Sequence, residues 1–291
     1  MSAEQDLPAE TTPMALRDLA VSLVADTAAV IRAKRAELTA EHDIREFTQT
    51  KSSAVDPVTI VDTLAEDFIV ETLAQRRPDD GIRGEEGSSK PAASGVTWII
   101  DPIDGTVNFI YGIPQYAVSV GAAVDGRVVA GAVINVVDGR LYSAARGSGA
   151  TVEDTATAET LQLRASLAES PERALLGTGF AYSSAMRRTQ AELLSTVLPH
   201  VRDIRRMGSA ALDLCAVAEG RLDAYYEHGI HSWDWAAGAL IAEEAGAVVD
   251  LPPLSSSGAE GVPAVVMAPG LADKLGEIFR ELGVYDPIRP S

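Results

Sequence analysis

The spacing of apolar residues changes part-way along this chain, and that change limits the folds open to it. Leu16, Leu19, Ala20, Leu23, Val24, Ala28 and Ile31 recur at helical spacing. Thr12-Pro13 ahead of them reads as an N-cap followed by Pro at the first helical position, which predicts a helix to about Leu38. Val61, Leu64, Ala65, Phe68 and Leu73 repeat the pattern and predict a second helix over 58–75, after a polar loop, 40–57, that carries Lys51-Ser52-Ser53. From Val96 the period shortens. Thr97-Trp98-Ile99-Ile100 is a short apolar run of the length of a buried strand, ending at Asp101. Asp125-Gly126 and Asp138-Gly139 each separate strand-like runs, and both residue types tolerate the positive φ of a type I′ hairpin turn. Residues 116–145 therefore read as an antiparallel meander.

The polar stretch 146–160 is the candidate boundary between two parts. Beyond it, strands are expected at 174–180, 202–206, 222–226 and 262–267. Helices are expected at 186–198, at 209–219 closed by Gly220, at 235–245 closed by Gly246, and at 271–282. The expected organisation is a loose tail over 1–12, an α+β half over 13–150 and an α/β half over 151–291, together a mixed α/β protein in two layered halves.

A chain of 291 residues can hold one large domain or two packed halves. Its formal net charge of −18 disfavours nucleic acid or an anionic membrane as an electrostatic partner. An anionic substrate stays open, because a bound cation reverses the local sign. The single cysteine, Cys215, sits in an apolar helical pattern and reads as a buried, inert thiol. Met1 to Glu10 has neither a basic nor an apolar segment of the signal-peptide kind, and the longest largely apolar stretch, Val128 to Val137, is far shorter than the roughly 18–20 residues of a membrane span. The expectation is a cytoplasmic protein.

Four acidic features stand where elements begin or end: Asp62, Gly84-Glu85-Glu86, Asp101-x-x-Asp104 and Trp233-Asp234. Such positions gather binding residues beside a crevice. Asp101-Pro102-Ile103-Asp104-Gly105-Thr106 combines two carboxylates, a flexible Gly and a hydroxyl, and carboxylates with a backbone carbonyl are the hard oxygen ligands Mg²⁺ prefers. A Ca²⁺-binding EF-hand is excluded, since its positions 1, 3, 5 and 12 would be Asp101, Ile103, Gly105 and Gly112. Gly177-Thr178-Gly179 and Gly147-Ser148-Gly149 are isolated glycine pairs without the rest of a P-loop. Each acid also has an ordinary reading. Asp62 in Thr59-x-x-Asp62 matches a capping box, Glu85 and Glu86 match solvated loop charges, and Asp234 matches the cap of a helix starting at Trp235. His228 and His231 lack a partner set for a metal and read as surface or interface residues.

Taken together, Lys51-Ser52-Ser53 through Asp62, Gly84-Glu85-Glu86, Trp98 through Phe109 and Gly229 through Gly238 resemble the inositol monophosphatase family over nearly the whole chain. The resemblance implies a layered αβαβα sandwich of the inositol monophosphatase and fructose-1,6-bisphosphatase type. It implies Mg²⁺ as cofactor, two or three ions per site, with Glu85, Asp101 and the Ile103 carbonyl holding one ion and Asp101, Asp104 and Asp234 another. Thr106 and Asp62 would orient and deprotonate the attacking water, with Lys51 on a nearby loop, and no phosphoenzyme would form. The alcohol would meet Asp104, Gly208, Ser209, Ala210, Glu227 and Asp234, and the phosphate the backbone N–H groups of Gly105 and Thr106. The substrate implied is inositol 1-phosphate. Fructose 1,6-bisphosphate, histidinol phosphate and nucleotide 3′-phosphate are alternatives on the same metal core, and a non-catalytic regulatory scaffold is the alternative of another class. A lithium-sensitive homodimer is the family expectation.

Overall fold

The computed structural model describes residues 9–41 and 57–289, so Lys51 and the loop that carries it lie outside the described residues. Helix α1 spans Pro13–Glu41 and α2 Pro57–Arg76. Thr12 Oγ1 accepts a hydrogen bond from the Ala15 N–H (3.3 Å), so the predicted cap forms. Because α2 begins at Pro57, Asp62 lies beyond its first turn rather than at its start.

An eight-stranded sheet follows, built from β1 (Gly81–Gly84), β2 (Ser89–Lys90), β3 (Val96–Asp104), β4 (Ala117–Val124), β5 (Arg127–Asn135), β6 (Arg140–Ala145), β7 (Ala150–Asp154) and β8 (Glu159–Gln162), in the order β2-β1-β3-β4-β5-β6-β7-β8. Only the β1–β3 pair is parallel. The predicted meander is present as β4, β5 and β6. The Asp125-Gly126 turn has φ of 49° and 78°, as type I′ requires. Asp138 keeps a negative-φ backbone, so the second turn is a longer one, in which Asn135 Oδ1 accepts from the Val137 and Asp138 N–H groups. The polar stretch expected to separate two parts holds β7 and the start of β8: β8 is an exposed edge strand, and β7 buries only Ala150 and Val152, too short an apolar alternation to stand out.

A second sheet has the order β10-β9-β11-β13-β12, with β9 (Leu175–Thr178), β10 (Asp203–Arg205), β11 (Ala224–His228), β12 (Val248–Asp250) and β13 (Pro263–Met267). The remaining helices are α3 (Thr106–Tyr111), α4 (Ser184–Val197), α5 (Ala210–Ala218), α6 (Ser232–Glu244) and α7 (Ala272–Glu281). Three apolar clusters define five layers. Leu16, Leu23, Ile31, Val61 and Ile69 of α1 and α2 cover Trp98, Ile100, Val120 and Ala132 on one face of the first sheet. Leu214, Ala237, Leu240 and Ile241 of α5 and α6 lie between Ile99 and Val133 of that sheet and Tyr225 and Val266 of the second. Val197 of α4 and Leu275 and Phe279 of α7 cover the outer face of the second sheet, against Leu176, Tyr226 and Val265. The molecule is a mixed α/β sandwich of two sheets between helices.

Glycine sets the closeness of the middle layer. A Cβ on Gly131 would lie 2.9 Å from the Ala237 Cα, and one on Gly121 would lie 3.3 Å from the Ala236 Cβ. Bare backbone on β4 and β5 lets α6 approach, which brings the N-terminus of α6 to the end of β3.

Candidate metal and substrate site

Strand β3 does not stop at Asp101 as expected but runs to Asp104 with an irregularity. Asp101 pairs with Ser119 and Asp104 with Ala117, so three steps on β3 oppose two on β4. One extra residue at Pro102-Ile103 is a bulge, which suits a proline that has no N–H for the ladder. Its consequence is directional. Side chains alternate along a strand, so residues three apart face opposite ways; the extra residue turns Asp101 and Asp104 to the same side. Oxygens of Asp101, Asp104 and Asp234 lie within 4.8 Å of one another.

Each carboxylate is held. Asp104 Oδ2 accepts from Ser209 Oγ (2.6 Å) and from the Ala211 N–H (2.7 Å) at the start of α5. Asp234 Oδ2 accepts from the His231 N–H (2.6 Å), which stabilises the first turn of α6, a helix that starts three residues earlier than predicted. Asp234 therefore caps its helix and faces the cluster at once. Asp101 is fully buried, and its Oδ1 has no hydrogen-bond partner in the protein. Glu85, in the turn after β1, is an electrostatic neighbour of Asp101 and Asp104. That turn is fixed by Glu66 of α2, a buried carboxylate that accepts from the Glu86 and Ser88 N–H groups (2.9 Å each). Nothing in the sequence marked Glu66, since a polar residue on an apolar helix reads as solvent-facing until the turn that covers it is known.

The electrostatics of the cluster are those of acids crowded without a counter-ion. Desolvation is the main cause throughout. Asp101 is pushed well above the usual carboxylate range by burial and then by the negative charges of Glu85, Asp104 and Asp234. Burial followed by the charge of Asp104 does the same for Asp234. Asp104 is raised to about 6, burial outweighing its hydrogen bonds and the nearby Arg206. Glu85 keeps contact with solvent, yet protein packed on its other side and its acidic neighbours raise it to about 7. Carboxylates converging on one point, with an orphaned buried oxygen among them, are a donor set for a hard divalent cation.

Gly105 follows the cluster with φ of 99°, and Thr106 opens α3. The Thr106 hydroxyl donates to the Ile103 carbonyl (3.1 Å). A cavity of about 510 Å³ opens beside these residues. Of the residues expected at the site, Glu85, Asp104, Gly105, Gly208, Ser209, Ala210, Glu227 and Asp234 line it. Asp62, Asp101, Ile103 and Thr106 do not, although Asp62 and Asp101 are buried. Glu227 lies at the far end of β11. Tyr225 donates its hydroxyl to Glu227 Oε2 (2.5 Å), and Gly179 leaves room for the carboxylate, since a Cβ there would meet it at 2.0 Å. Burial raises Glu227 to about 7 despite the Tyr225 hydrogen bond.

The cavity also holds groups that sequence reasoning did not assign. Asp213 of α5, Arg206 and Tyr182 line it, as does His231, whose ring stacks on Trp233 with centroids 4.4 Å apart. Contrary to expectation, His228 is a core residue, only 2% exposed, its Nε2 within 2.8 Å of the Val284 carbonyl oxygen. Cys215 is buried as expected.

The profile of the inositol monophosphatase family matches residues 14–272. The inositol-1-monophosphatase of Mycobacterium leprae is 52% identical over 290 residues, covering 96% of this chain and 98% of its own. The solved structure of Mycobacterium tuberculosis SuhB superposes with a TM-score of 0.80 at 50% identity, covering 94% of this chain and 98% of its own. The Nus factor SuhB of Pasteurella multocida is 39% identical over 202 residues, 69% of this chain and 73% of its own. Similarity of that depth along the whole chain, on the same two-sheet scaffold and with a carboxylate cluster fit for a metal, places this chain in the inositol monophosphatase family of phosphatases.

Proposed function

We propose that this chain hydrolyses inositol 1-phosphate to inositol and inorganic phosphate with Mg²⁺ as its cofactor. One observation carries the reading: three converging carboxylates, Asp101, Asp104 and Asp234, the last two lining a cavity that also holds a separate carboxylate, Glu227, held by Tyr225. The first group suits a cation and the phosphate it attracts, and the second suits the hydroxyls of a polyol.

Glu85, Asp101, the Ile103 carbonyl, Asp104 and Asp234 would hold two ions, with a third, weaker one near Glu85. When bound, Mg²⁺ supplies charge neutralisation for the phosphate and acidifies water to a nucleophile near neutral pH. The chain supplies the rest. Gly105, without a Cβ and with positive φ, leaves the Gly105 and Thr106 N–H groups open to phosphate oxygens, where phosphoryl transfer is stabilised. Thr106 spends its proton on the Ile103 carbonyl, so its lone pairs are free to accept one from the attacking water. Asp62 is assigned as the final base and Lys51 as an accessory charge. Gly208, Ser209 and Ala210 orient the alcohol through backbone and hydroxyl contacts, and Ser209 in addition steadies Asp104. Hydrolysis is direct, without a phosphoenzyme.

The net charge of −18 supports small-molecule chemistry away from nucleic acid and anionic membranes, and among the described residues no helix is long and apolar enough to cross a membrane. Assembly as a lithium-sensitive, cytoplasmic homodimer is part of the proposal on family resemblance alone. The relatives named Nus factors favour a second reading, a regulatory scaffold. The test is phosphate release, with and without Mg²⁺, from D- and L-inositol 1-phosphate, fructose 1,6-bisphosphate, histidinol phosphate and a nucleotide 3′-phosphate. The inositol phosphates are expected to be hydrolysed fastest and only with Mg²⁺. A faster nucleotide phosphate would overturn the substrate, and no release from any of them would leave the scaffold reading.

A further inference from the structure

Helix α5 is built from Ala210-Ala211-Leu212-Asp213-Leu214-Cys215-Ala216-Val217-Ala218, all buried. Asp213 is the only ionisable carboxylate in that run. It is 2% exposed, and its Oδ1 has no hydrogen-bond partner in the protein. Among the described residues no ion pair reaches it, and the Arg206 guanidinium beside it makes none either. A carboxylate kept in this state raises the energy of the empty protein, and a structural carboxylate is normally hydrogen-bonded. What distinguishes Asp213 is where it faces: it lines the same cavity as Glu227, whose Oε2 is taken by Tyr225.

Asp213 stands apart from the acids whose oxygens converge, Asp101, Asp104 and Asp234, among the described residues. Two carboxylates line one cavity, Asp213 with a buried oxygen that has no partner and Glu227 with one oxygen taken by Tyr225, and together they match a ligand that brings several donors. A polyol does so, each hydroxyl donating one hydrogen bond.

We propose that Asp213 is a specificity-determining residue that accepts a hydrogen bond from a second hydroxyl of the leaving alcohol, beside the one taken by Glu227. The proposal rests on the phosphatase reading of this site. It makes the pocket selective for alcohols with at least two free hydroxyls.

The test compares wild type with Asp213→Asn, which keeps the shape and removes the charge, and with Asp213→Ser, should the amide perturb folding. Thermal melts establish that both are folded. The readout is the ratio of kcat/KM for inositol 1-phosphate to that for 4-nitrophenyl phosphate, which has no hydroxyls. A tenfold or greater fall in that ratio is expected, carried by KM. Analogues of inositol 1-phosphate lacking one hydroxyl each give the coupling: one of them should lose at least fivefold in wild type and less than twofold in Asp213→Asn. A ratio within twofold of wild type, or the same loss in both proteins for every analogue, overturns the proposal. If wild type hydrolyses 4-nitrophenyl phosphate and not inositol 1-phosphate, the substrate reading fails separately, and the same ratio is taken with glucitol 6-phosphate as the polyol.

Discussion

At the scale of single residues, the site works by placing acids where their charge is costly and then giving each a reason to stay. Asp104 is the clearest case. Its Oδ2 is held by Ser209 and the Ala211 N–H while burial raises its pKa to about 6. Asp104→Asn keeps an acceptor for both hydrogen bonds and removes the charge. We expect kcat/KM on inositol 1-phosphate to fall at least tenfold, a barrier increase of about 1.4 kcal/mol or more, with the melting temperature unchanged or higher. A variant that keeps more than a tenth of wild-type turnover would remove Asp104 from the ligand set. The acids in Asp101-x-x-Asp104 could be read in sequence as a metal motif. Glu66 and Asp213 could not be assigned from sequence, because an acid inside an apolar helical pattern looks the same whether it faces solvent, a turn or a cavity.

At the scale of elements, the site is made by a bulge, a turn and two helix starts. The bulge aligns Asp101 with Asp104, Glu66 pins the turn that carries Glu85, and the first turns of α5 and α6 receive Asp104 and contribute Asp234. Gly105 joins these parts. Its φ of 99° is strained for any residue with a side chain, and a Cβ there would lie 2.9 Å from the Gln115 carbonyl oxygen and 3.1 Å from that of Gly208. Gly105→Ala should cost about 1–3 kcal/mol. At roughly 2–4 °C per kcal/mol for a protein of this class, the melting temperature should fall by several degrees. Turnover should fall with it, because the displaced Gly208 lines the cavity; a melt superposable on wild type would show that the turn yields without strain. The hairpin signal at Asp125-Gly126 was legible, whereas β7 and β8 were not, since β8 is exposed throughout and β7 alternates over only Ala150 and Val152.

At the scale of the whole molecule, the crowded carboxylates make stability, pH and metal one linked equilibrium. Glu85 moves from 4.5 to about 7 and Asp104 from 3.8 to about 6 on folding without metal. Between those values the folded chain binds more protons than the unfolded one, so metal-free stability falls as pH rises through the window. A bound cation requires the deprotonated forms, so its stabilisation grows over the same range. The difference in melting temperature between Mg²⁺ and EDTA should therefore be small near pH 5 and increase steadily to pH 8; a flat or declining difference would detach the raised acids from metal binding. The difference is the quantity to read, because the net charge of −18 also destabilises the compact chain as pH rises. By itself the sequence determined the layering and the principal ligand candidates, because periodicity, turn dipeptides and the spacing of acids are local and survive without coordinates. Only the tertiary structure decided that β3 bulges, that His228 is core, that Glu66 and Asp213 are buried, and that Asp234 reaches Asp101 and Asp104. The last of these depends on α6 packing against bare glycine backbone on β4 and β5, a contact between segments more than 100 residues apart that no local pattern encodes.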